Sequence, residues 1–437
     1  MSKIMINSGI PWIGEIPNHW GSTVLLRLLK CRITDGPHET PVLQNTGIPF
    51  ISVDSLNETD SVDLSNVKRF ISRELYDEYQ KKAQIEKGDI LFSKAATIGK
   101  TAIVKDEEFM VWSPLAIIKS NPSICHNKYL YYILNCQGLI IHVSLLGTHN
   151  TQINVGMRAL EKAKVPLPPF FEQQAIADFL DKKCCEIDDM ISLQEKIIAE
   201  LKSYKQSVIS EVVCRGLNQD VPQKNSGIEW IGHIPSHWSL TKIKHKAFVV
   251  RGGSPRPAGD ERFYNGNVPF MKVGDITKDE EIYVSNCEYS LKEEGVKYSR
   301  VVKEGTLLLT NSGATLGVPK ITTITTTIND GIAAFLNLSP DIDSLFLFYV
   351  LKSLTKVFLE QSALGIGQPN LNTDIIGNTI ITLPNIEEQK QIVAFLKLKC
   401  SEIDSMIALK NTKINALKEY KQSIIYEYIT GKKEVPL

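Results

Sequence analysis

Residues 8–20 read SGIPWIGEIPNHW, and residues 226–238 read SGIEWIGHIPSHW, 218 positions later in a chain of 437. This repeated phrase limits the possible folds more than any other feature, because the likeness continues along the chain in the same order. IPF at 48–50 returns as VPF at 268–270, KGDILFS at 87–93 as EGTLLLT at 304–310, and ATIG at 96–99 as ATLG at 314–317. NKYLYYILN from Asn127 returns as SLFLFYVLK from Ser344, and TQIN at 151–154 as GQPN at 367–370. The likeness is strongest late, where EID-MI-L from Glu186 recurs from Glu402 and LK-YKQS from Leu201 recurs from Leu417. A period near 217 lies far beyond solenoid repeats of roughly 20–50 residues. The chain therefore reads as two copies of one module: a tryptophan phrase, a divergent middle and a similar tail.

The tails read as helices. Neither Pro nor Gly occurs in 170–215 or in 386–430. Pro168-Pro169 stands before the first tail, where proline suits a helix start, and Asn385 with Glu388 resembles a capping box before the second. Gly216 and Gly431 stand where a C′ glycine ends a helix. Within the first tail Ile187, Ile191, Gln194, Ile198, Leu201, Lys205, Val208 and Val212 follow 4-3 spacing. The second gives Ile403, Ile407, Lys410, Ile414, Leu417, Lys421, Ile424 and Tyr428. That is a heptad seam with polar interruptions, the pattern of a short coiled coil. Helices of this length would reach roughly 65 Å; the alternative is two ordinary core helices.

The middles read differently. KGDILFS, TAIVK and PLAIIKS in the first copy, and GTLLLT and AAFLNL in the second, are short strand-like runs broken by Gly, Asn, Pro and Asp. LYYILN and FLFYVLK read as short buried helices. Each middle is expected to be an irregular α+β globule. DGPHETP (35–41) and RGGSPRP (251–257) stand at similar places in the two middles. They are either surface turns or loops offered to a ligand, with Gly permitting close backbone approach.

A search for chemistry finds little. SKAATIGKT (93–101) ends in GKT, but a P-loop needs Gly where Lys94 stands, and the second copy has Val318 in place of the key lysine. LPPF (167–170) resembles the [ND]-P-P-[FYW] motif of amino-methylating DNA methyltransferases, yet leucine cannot accept the amino group's hydrogen bond. No H-E-x-x-H, G-x-S-x-G or metal-spaced carboxylate cluster occurs. His19 and His237 sit in the repeated phrase and read as packing residues. The eight cysteines show no CxxC pair, and are expected to be buried, reduced thiols. No signal core or membrane span is legible, which leads us to expect a cytoplasmic protein without membrane contact. The 49 basic residues balance the 49 acidic ones, which disfavours a simple polyanion binder while leaving a local basic face open.

In its order of motifs the whole chain resembles the DNA specificity subunit of type I restriction–modification systems. The matching phrases are WIG-IP-HW at both module starts, GIPFISV, DGPHETP, GGSP and KGDILFS. They continue with the Q-x-N pairs Gln152/Asn154 and Gln368/Asn370, and with PLPP-x-x-EQQAI echoed by LPNIEEQKQI. The second copy departs modestly, having lost one proline in LPNI. The resemblance implies an α+β protein without catalysis. Two globular target recognition domains (1–168 and 217–384) would be joined by a central helix (169–216) and a C-terminal helix (385–437). These would form an antiparallel coiled coil with pseudo-twofold symmetry, whose seam is Ile187, Ile191, Ile198, Leu201 and Val208 against Ile403, Ile407, Ile414, Leu417 and Ile424. It further implies double-stranded DNA as ligand, each domain reading half of an asymmetric bipartite site. Two DNA methylation subunits would methylate adenine, and endonuclease/translocase subunits could join. No cofactor is expected in this chain; S-adenosylmethionine, ATP and magnesium would belong to partners.

Sequence readers need side chains that reach base edges. The candidates for DNA contact are therefore loop residues: His38, Lys94, Thr97, Lys100, Gln152 and Asn154 in the first domain. In the second they are Arg251, Ser254, Arg256, Asn311, Ser312, Thr315 and Gln368. Gln152, Asn154 and their counterparts could instead be polar caps fixing the return into the helix. Two other readings stay open at this stage: an enzyme using Lys100 in a degenerate P-loop, and a structural adaptor.

Overall fold

The structure is a computed structural model that describes residues 4–56, 60–95, 97–146, 148–149, 153–313, 315–363 and 370–435. The chain divides into two compact units. Unit 1 comprises residues 1–194 and 411–437, and unit 2 comprises residues 195–410. The long tails are thus shared between the units and do not stand as domains of their own. Four helices matter here: α1 (Asn127–Asn135), α2 (Phe170–Arg215), α3 (Ser344–Ser353) and α4 (Ile386–Ile429). The long helices start and stop within two residues of the limits set by the proline and glycine signals. No helix among the described residues is long and apolar enough to cross a membrane.

Each divergent middle is built on the same sheet. In unit 1 the strands are β1 (Thr34–Asp35), β2 (Ile90–Ser93), β3 (Thr101–Ile103) and β4 (Leu115–Ile118), in the order β1-β4-β2-β3, all antiparallel. In unit 2 they are β5 (Phe248–Arg251), β6 (Tyr283–Val284), β7 (Leu307–Thr310), β8 (Pro319–Thr322) and β9 (Ile332–Leu336). The order β5-β9-β7-β8-β6 repeats that of unit 1, with β6 added parallel at the edge. Register repeats too: Leu115 faces Ser93 in β4-β2, and Ile332 faces Thr310 in β9-β7, each 217 residues on. Central strands buried on both faces explain the continuous apolar runs ILF and LLL, which carry no alternation.

The repeated phrases clamp each globule to a helix start. In unit 1 the strand after the phrase (Gly21–Val24) pairs with the strand before α2 (Lys164–Leu167); in unit 2 Ser239–Lys242 pairs with Ile380–Leu383. Glu172, in the first turn of α2, accepts from Trp20 Nε1 at 2.8 Å and meets His19 Nε2 at 2.8 Å. Glu388, in the first turn of α4, meets His237 Nε2 at 3.0 Å. A carboxylate in the first turn also complements the helix dipole. The next residue bolts the helix to the globule. Buried Gln173 accepts from His126 N, which caps α1, and donates to Ile124 O and Pro168 O. Buried Gln389 accepts from Asp343 N, which caps α3, and donates to Asp341 O and Pro384 O. The EQ of EQQAI and of EEQKQI is therefore a pair of docking side chains, and the histidines are bracket residues.

The other end of each helix closes on the other copy's phrase. In unit 2 Gly216, which ends α2 at φ +76°, lies against the Trp238 ring; in unit 1 Gly431, which ends α4 at φ +69°, lies against Pro17 and Trp20. Both units hold an antiparallel helix pair. In unit 1 Lys421 Nζ of α4 meets both Asp188 oxygens of α2 at 2.7 and 2.8 Å, and Phe179 stacks on Tyr428 at 4.4 Å. In unit 2 Lys205 Nζ of α2 meets both Asp404 oxygens of α4 at 2.6 and 2.7 Å. Two of the polar breaks in the heptads, Lys205 and Lys421, are thus ion-paired across the helices and fix register. All ten seam residues named from the sequence are buried or half-buried. Ile209, Val213, Ile425 and Ile429 are buried as well. They widen the stripe beyond a two-helix seam because each helix also covers its globule. In unit 2, Ile209, Val213, Ile392 and Leu396 join Trp238, Phe346, Leu347 and Leu351 in one core.

All eight cysteines are unpaired. Five are buried, but Cys31 and Cys185 are exposed, which corrects the expectation that all are interior. Burial pushes the Cys125 thiol up to about 12 and Cys184 up to about 11, so both stay protonated and inert at neutral pH.

Candidate nucleic-acid interface

At one end of each sheet the same four loops are laced together by backbone hydrogen bonds. In unit 1 Lys94 N, just past β2, donates to Pro114 O, just before β4, at 2.9 Å. Val155 N donates to Lys94 O at 2.8 Å, Ala95 bridges to Asn154, and Ser113 N donates to Pro37 O at 3.3 Å. Unit 2 repeats this lacing. Asn311 N donates to Gly331 O at 2.9 Å, Leu371 N donates to Asn311 O at 2.8 Å, and Ser312 bridges to Asn370. The GPH and GGSP loops leave the sheet beside this seam. A Cβ on Gly36 would lie 1.9 Å from Val111 O, and one on Gly252 would lie 2.2 Å from Asn329 O, so only glycine fits at the exit.

On this common frame the side chains differ. In unit 1 Asp35 Oδ2 forms an ion pair with Lys94 Nζ at 3.0 Å and lies 3.2 Å from His38 Nε2, with no in-line hydrogen bond to either. The three line a cavity of about 290 Å³ with Asn154 and Leu146. His38 is 74% exposed while Lys94 is buried. In unit 2 Asp330 is the hub. Its Oδ1 accepts from Ser254 Oγ at 2.7 Å, its Oδ2 from Arg256 Nη2 at 3.1 Å, and its carbonyl from Arg251 Nε at 2.6 Å. Arg300 Nε donates to Arg251 O at 3.1 Å. Burial alone would raise the Asp330 carboxyl. The Ser254 hydroxyl, its own backbone amide and the charges of Arg256 and Arg251 outweigh burial and hold it below the usual carboxylate range.

The structure thus brings together His38, Lys94 and Asn154 in unit 1, and Arg251, Ser254 and Arg256 beside Asn311 and Ser312 in unit 2. It separates Lys100, whose Nζ donates to Leu56 O and lines a different cavity of about 700 Å³ with Asp60, Lys128 and Asp181. Thr97 and Thr315 are turn residues whose carbonyls accept from Ser93 Oγ and Thr310 Oγ1. Asn311 is fully buried, and its amide, oriented to satisfy the network, donates to Gly331 O and Asp330 O. Gln152 and Gln368 lie outside the described residues. Residues 93–101 link antiparallel β2 and β3, so the GKT stretch sits in a hairpin and lacks the strand-to-helix context of a P-loop. Sequence reasoning missed Asp35, Asp330 and Arg300. The DG pairs at 35–36 and 330–331 signal turns, but nothing local marks Asp330 as the anchor of a loop some 75 residues earlier.

Two globules carrying the same loop frame, each docked on a shared pair of long helices, can be compared with known proteins. Residues 37–203 and 237–419 match the family described as Type I restriction modification DNA specificity domain. The chain belongs to this family. Among its relatives, the type I restriction enzyme MjaVIII specificity subunit of Methanocaldococcus jannaschii is 26% identical over 328 residues, covering 73% of each chain. The type I restriction enzyme EcoBI specificity subunit of Escherichia coli is 25% identical over 410 residues, covering 88% of this chain and 83% of that one. A chain from a structure of complex assembly and conformational transition in the type I R-M system superposes with TM-score 0.68 at 16% identity. It covers 96% of this chain and 99% of its own, and shares the fold. Specificity-domain membership explains why the motifs occur twice and in one order.

Proposed function

We propose that this chain is the non-catalytic DNA specificity subunit of a type I restriction–modification complex. Each unit reads one half of an asymmetric bipartite target through its loop cluster. The paired helices set the distance between half-sites and dock two methylation subunits that methylate adenine. Endonuclease/translocase subunits can join the complex. S-adenosylmethionine, ATP and magnesium act on those partners, outside this chain.

One observation carries this reading: the same backbone lacing is built twice and furnished with unlike side chains. Asp35, His38 and Lys94 stand on one frame, and Arg251, Ser254, Arg256 and Asp330 on the other. A common frame with exchangeable donors is what two independent readers of different sequences require. The balanced total charge fits a division of labour in which partners supply much of the phosphate contact. The test is to replace residues 21–165 with those of another family member and sequence methylated adenines in cells. One half of the split motif changes and the other stays. A change in both halves contradicts independent reading.

A further inference from the structure

The GGSPRP loop of unit 2 presents Arg256 in an unusual way. The side chain is 72% exposed, yet it is not loose. Prolines flank it on both sides, at 255 and 257, and fix backbone φ. The Pro255 carbonyl is pinned by the Tyr264 hydroxyl at 3.0 Å. Gly252 N and Gly253 N are tied to Ile332 O at 2.9 Å and Ile328 O at 3.0 Å. Asp330 then holds one guanidinium nitrogen, with its second oxygen fixed by Ser254.

A carboxylate at a DNA-facing surface is unfavourable on its own account, because it repels the phosphate backbone. An arginine that meets only phosphate gains nothing from such a neighbour. An arginine that must place its planar fork on a base edge does gain, because bidentate pairing demands a fixed plane and the counter-carboxylate supplies it. The base edge matched by an arginine fork in the major groove is guanine, through O6 and N7.

We infer that Arg256 reads a guanine in the half-site of unit 2, and that Asp330 is the positioning residue that orients it. This rests on the specificity-subunit reading above and assigns part of the target to it. Ser254 belongs to the same device, holding the carboxylate so that only one of its oxygens is left for Arg256. Unit 1 has a related arrangement in Asp35 and His38. There the donor is a single ring nitrogen, so the guanine assignment applies to unit 2 alone.

The experiment uses the full chain assembled with its methylation subunits. The exchange of residues 21–165 first identifies which half of the methylated motif belongs to unit 2. Binding of the assembled complex is then measured on duplexes carrying each base pair at each position of that half, at several salt concentrations. The expected result is one required G·C pair whose discrimination Arg256→Ala reduces by about tenfold to a hundredfold. Arg256→Lys does not restore it, since an ammonium is a point charge without a fork. The salt slope stays as in the wild type, because no phosphate contact is lost. Asp330→Asn weakens discrimination at that same pair while tightening binding to non-cognate duplex. The rise follows from the lost negative charge alone; the loss confined to the pair read by Arg256 marks positioning, since a merely structural role would weaken binding to every duplex alike.

Three outcomes overturn the inference: a unit 2 half-site without a required G·C pair, full rescue by Arg256→Lys, or uniform weakening on every duplex with a shallower salt slope. The second would show that no planar fork is needed, and the third would assign Arg256 to phosphate. If the exchange alters both halves of the motif, the specificity-subunit reading itself fails, and that is seen before any Arg256 variant is made.

Discussion

Gly431 offers a direct perturbation of the way unit 1 closes. It ends α4 in the left-handed region at φ +69°, and a Cβ there would lie 2.5 Å from Pro17 Cδ and 2.9 Å from the Trp20 ring. Gly216 ends α2 at φ +76°, but its Cβ would come no nearer than 3.1 Å to the Trp238 ring. The backbone penalty of a non-glycine residue in this region is shared by both sites, about 1–2 kcal/mol. Only Gly431→Ala adds a clash with a rigid proline and a buried indole, which costs a further ~1–3 kcal/mol. Each unit holds just over two hundred residues, for which 1 kcal/mol moves Tm by about 2–4 °C. Gly431→Ala should therefore lower the unfolding temperature of unit 1 by roughly 4–20 °C, and Gly216→Ala that of unit 2 by roughly 2–8 °C. Scanning calorimetry of the two purified variants reads the transitions. Equal shifts, or a larger one for Gly216→Ala, would refute the idea that the end of α4 seats against the first tryptophan phrase.

Further predictions follow from the ion pairs. Lys205 is buried but Asp404 is half exposed. A double-mutant cycle with Lys205→Met and Asp404→Asn should therefore give coupling of about 1–2 kcal/mol, below the 3–5 kcal/mol typical of breaking fully buried pairs. Coupling near zero would remove these pairs from register control. In the larger cavity of unit 1, Asp60 meets Lys128 Nζ at 2.7 Å. Burial would lift Asp60, but Lys128 and Lys105 outweigh it and hold the carboxyl low. Burial would lower Lys128, but Asp60 and Asp181 outweigh it and hold the ammonium high. A depressed carboxyl contributes stability above its ordinary value of 3.8 that is lost as pH falls through the lower folded value. A raised lysine contributes below 10.5 and loses it only as pH rises beyond. The destabilisation caused by Asp60→Asn, measured by chemical denaturation, should thus be constant from about pH 5 to 9 and shrink below about pH 4. A loss centred near neutral pH would contradict the assignment.

How much of this could be read from the residues varies with the physics involved. The helices were legible because their limits are set by local chemistry: Pro168 and Pro169, Asn385, Gly216 and Gly431 act within a turn of themselves. The sheet strands were legible as short apolar runs, since burial on both faces removes the need for alternation. The roles of Glu172, Gln173, Glu388 and Gln389 were hidden, although their motif was seen twice, because their partners lie about 50 to 150 residues away. Lys205 and Lys421 read as flaws in a heptad, and only the antiparallel pairing supplies Asp404 and Asp188. The loop candidates were chosen by hydrogen-bonding capacity alone, which cannot tell exposed Arg256 from fully buried Asn311. That difference is set by the backbone lacing, which leaves no mark on composition or spacing.

The most direct test of the central proposal concerns the helices as a ruler. Inserting one heptad into α2 after Gln194 and one into α4 after Lys410, where the two units meet in sequence, lengthens each helix by ~10.5 Å and keeps the seam in phase. Sequencing methylated adenines in cells carrying this variant should return the same two half-sites with a spacer longer by about three base pairs. An unchanged spacer, with methylation intact, would show that something other than these helices sets the distance between the readers.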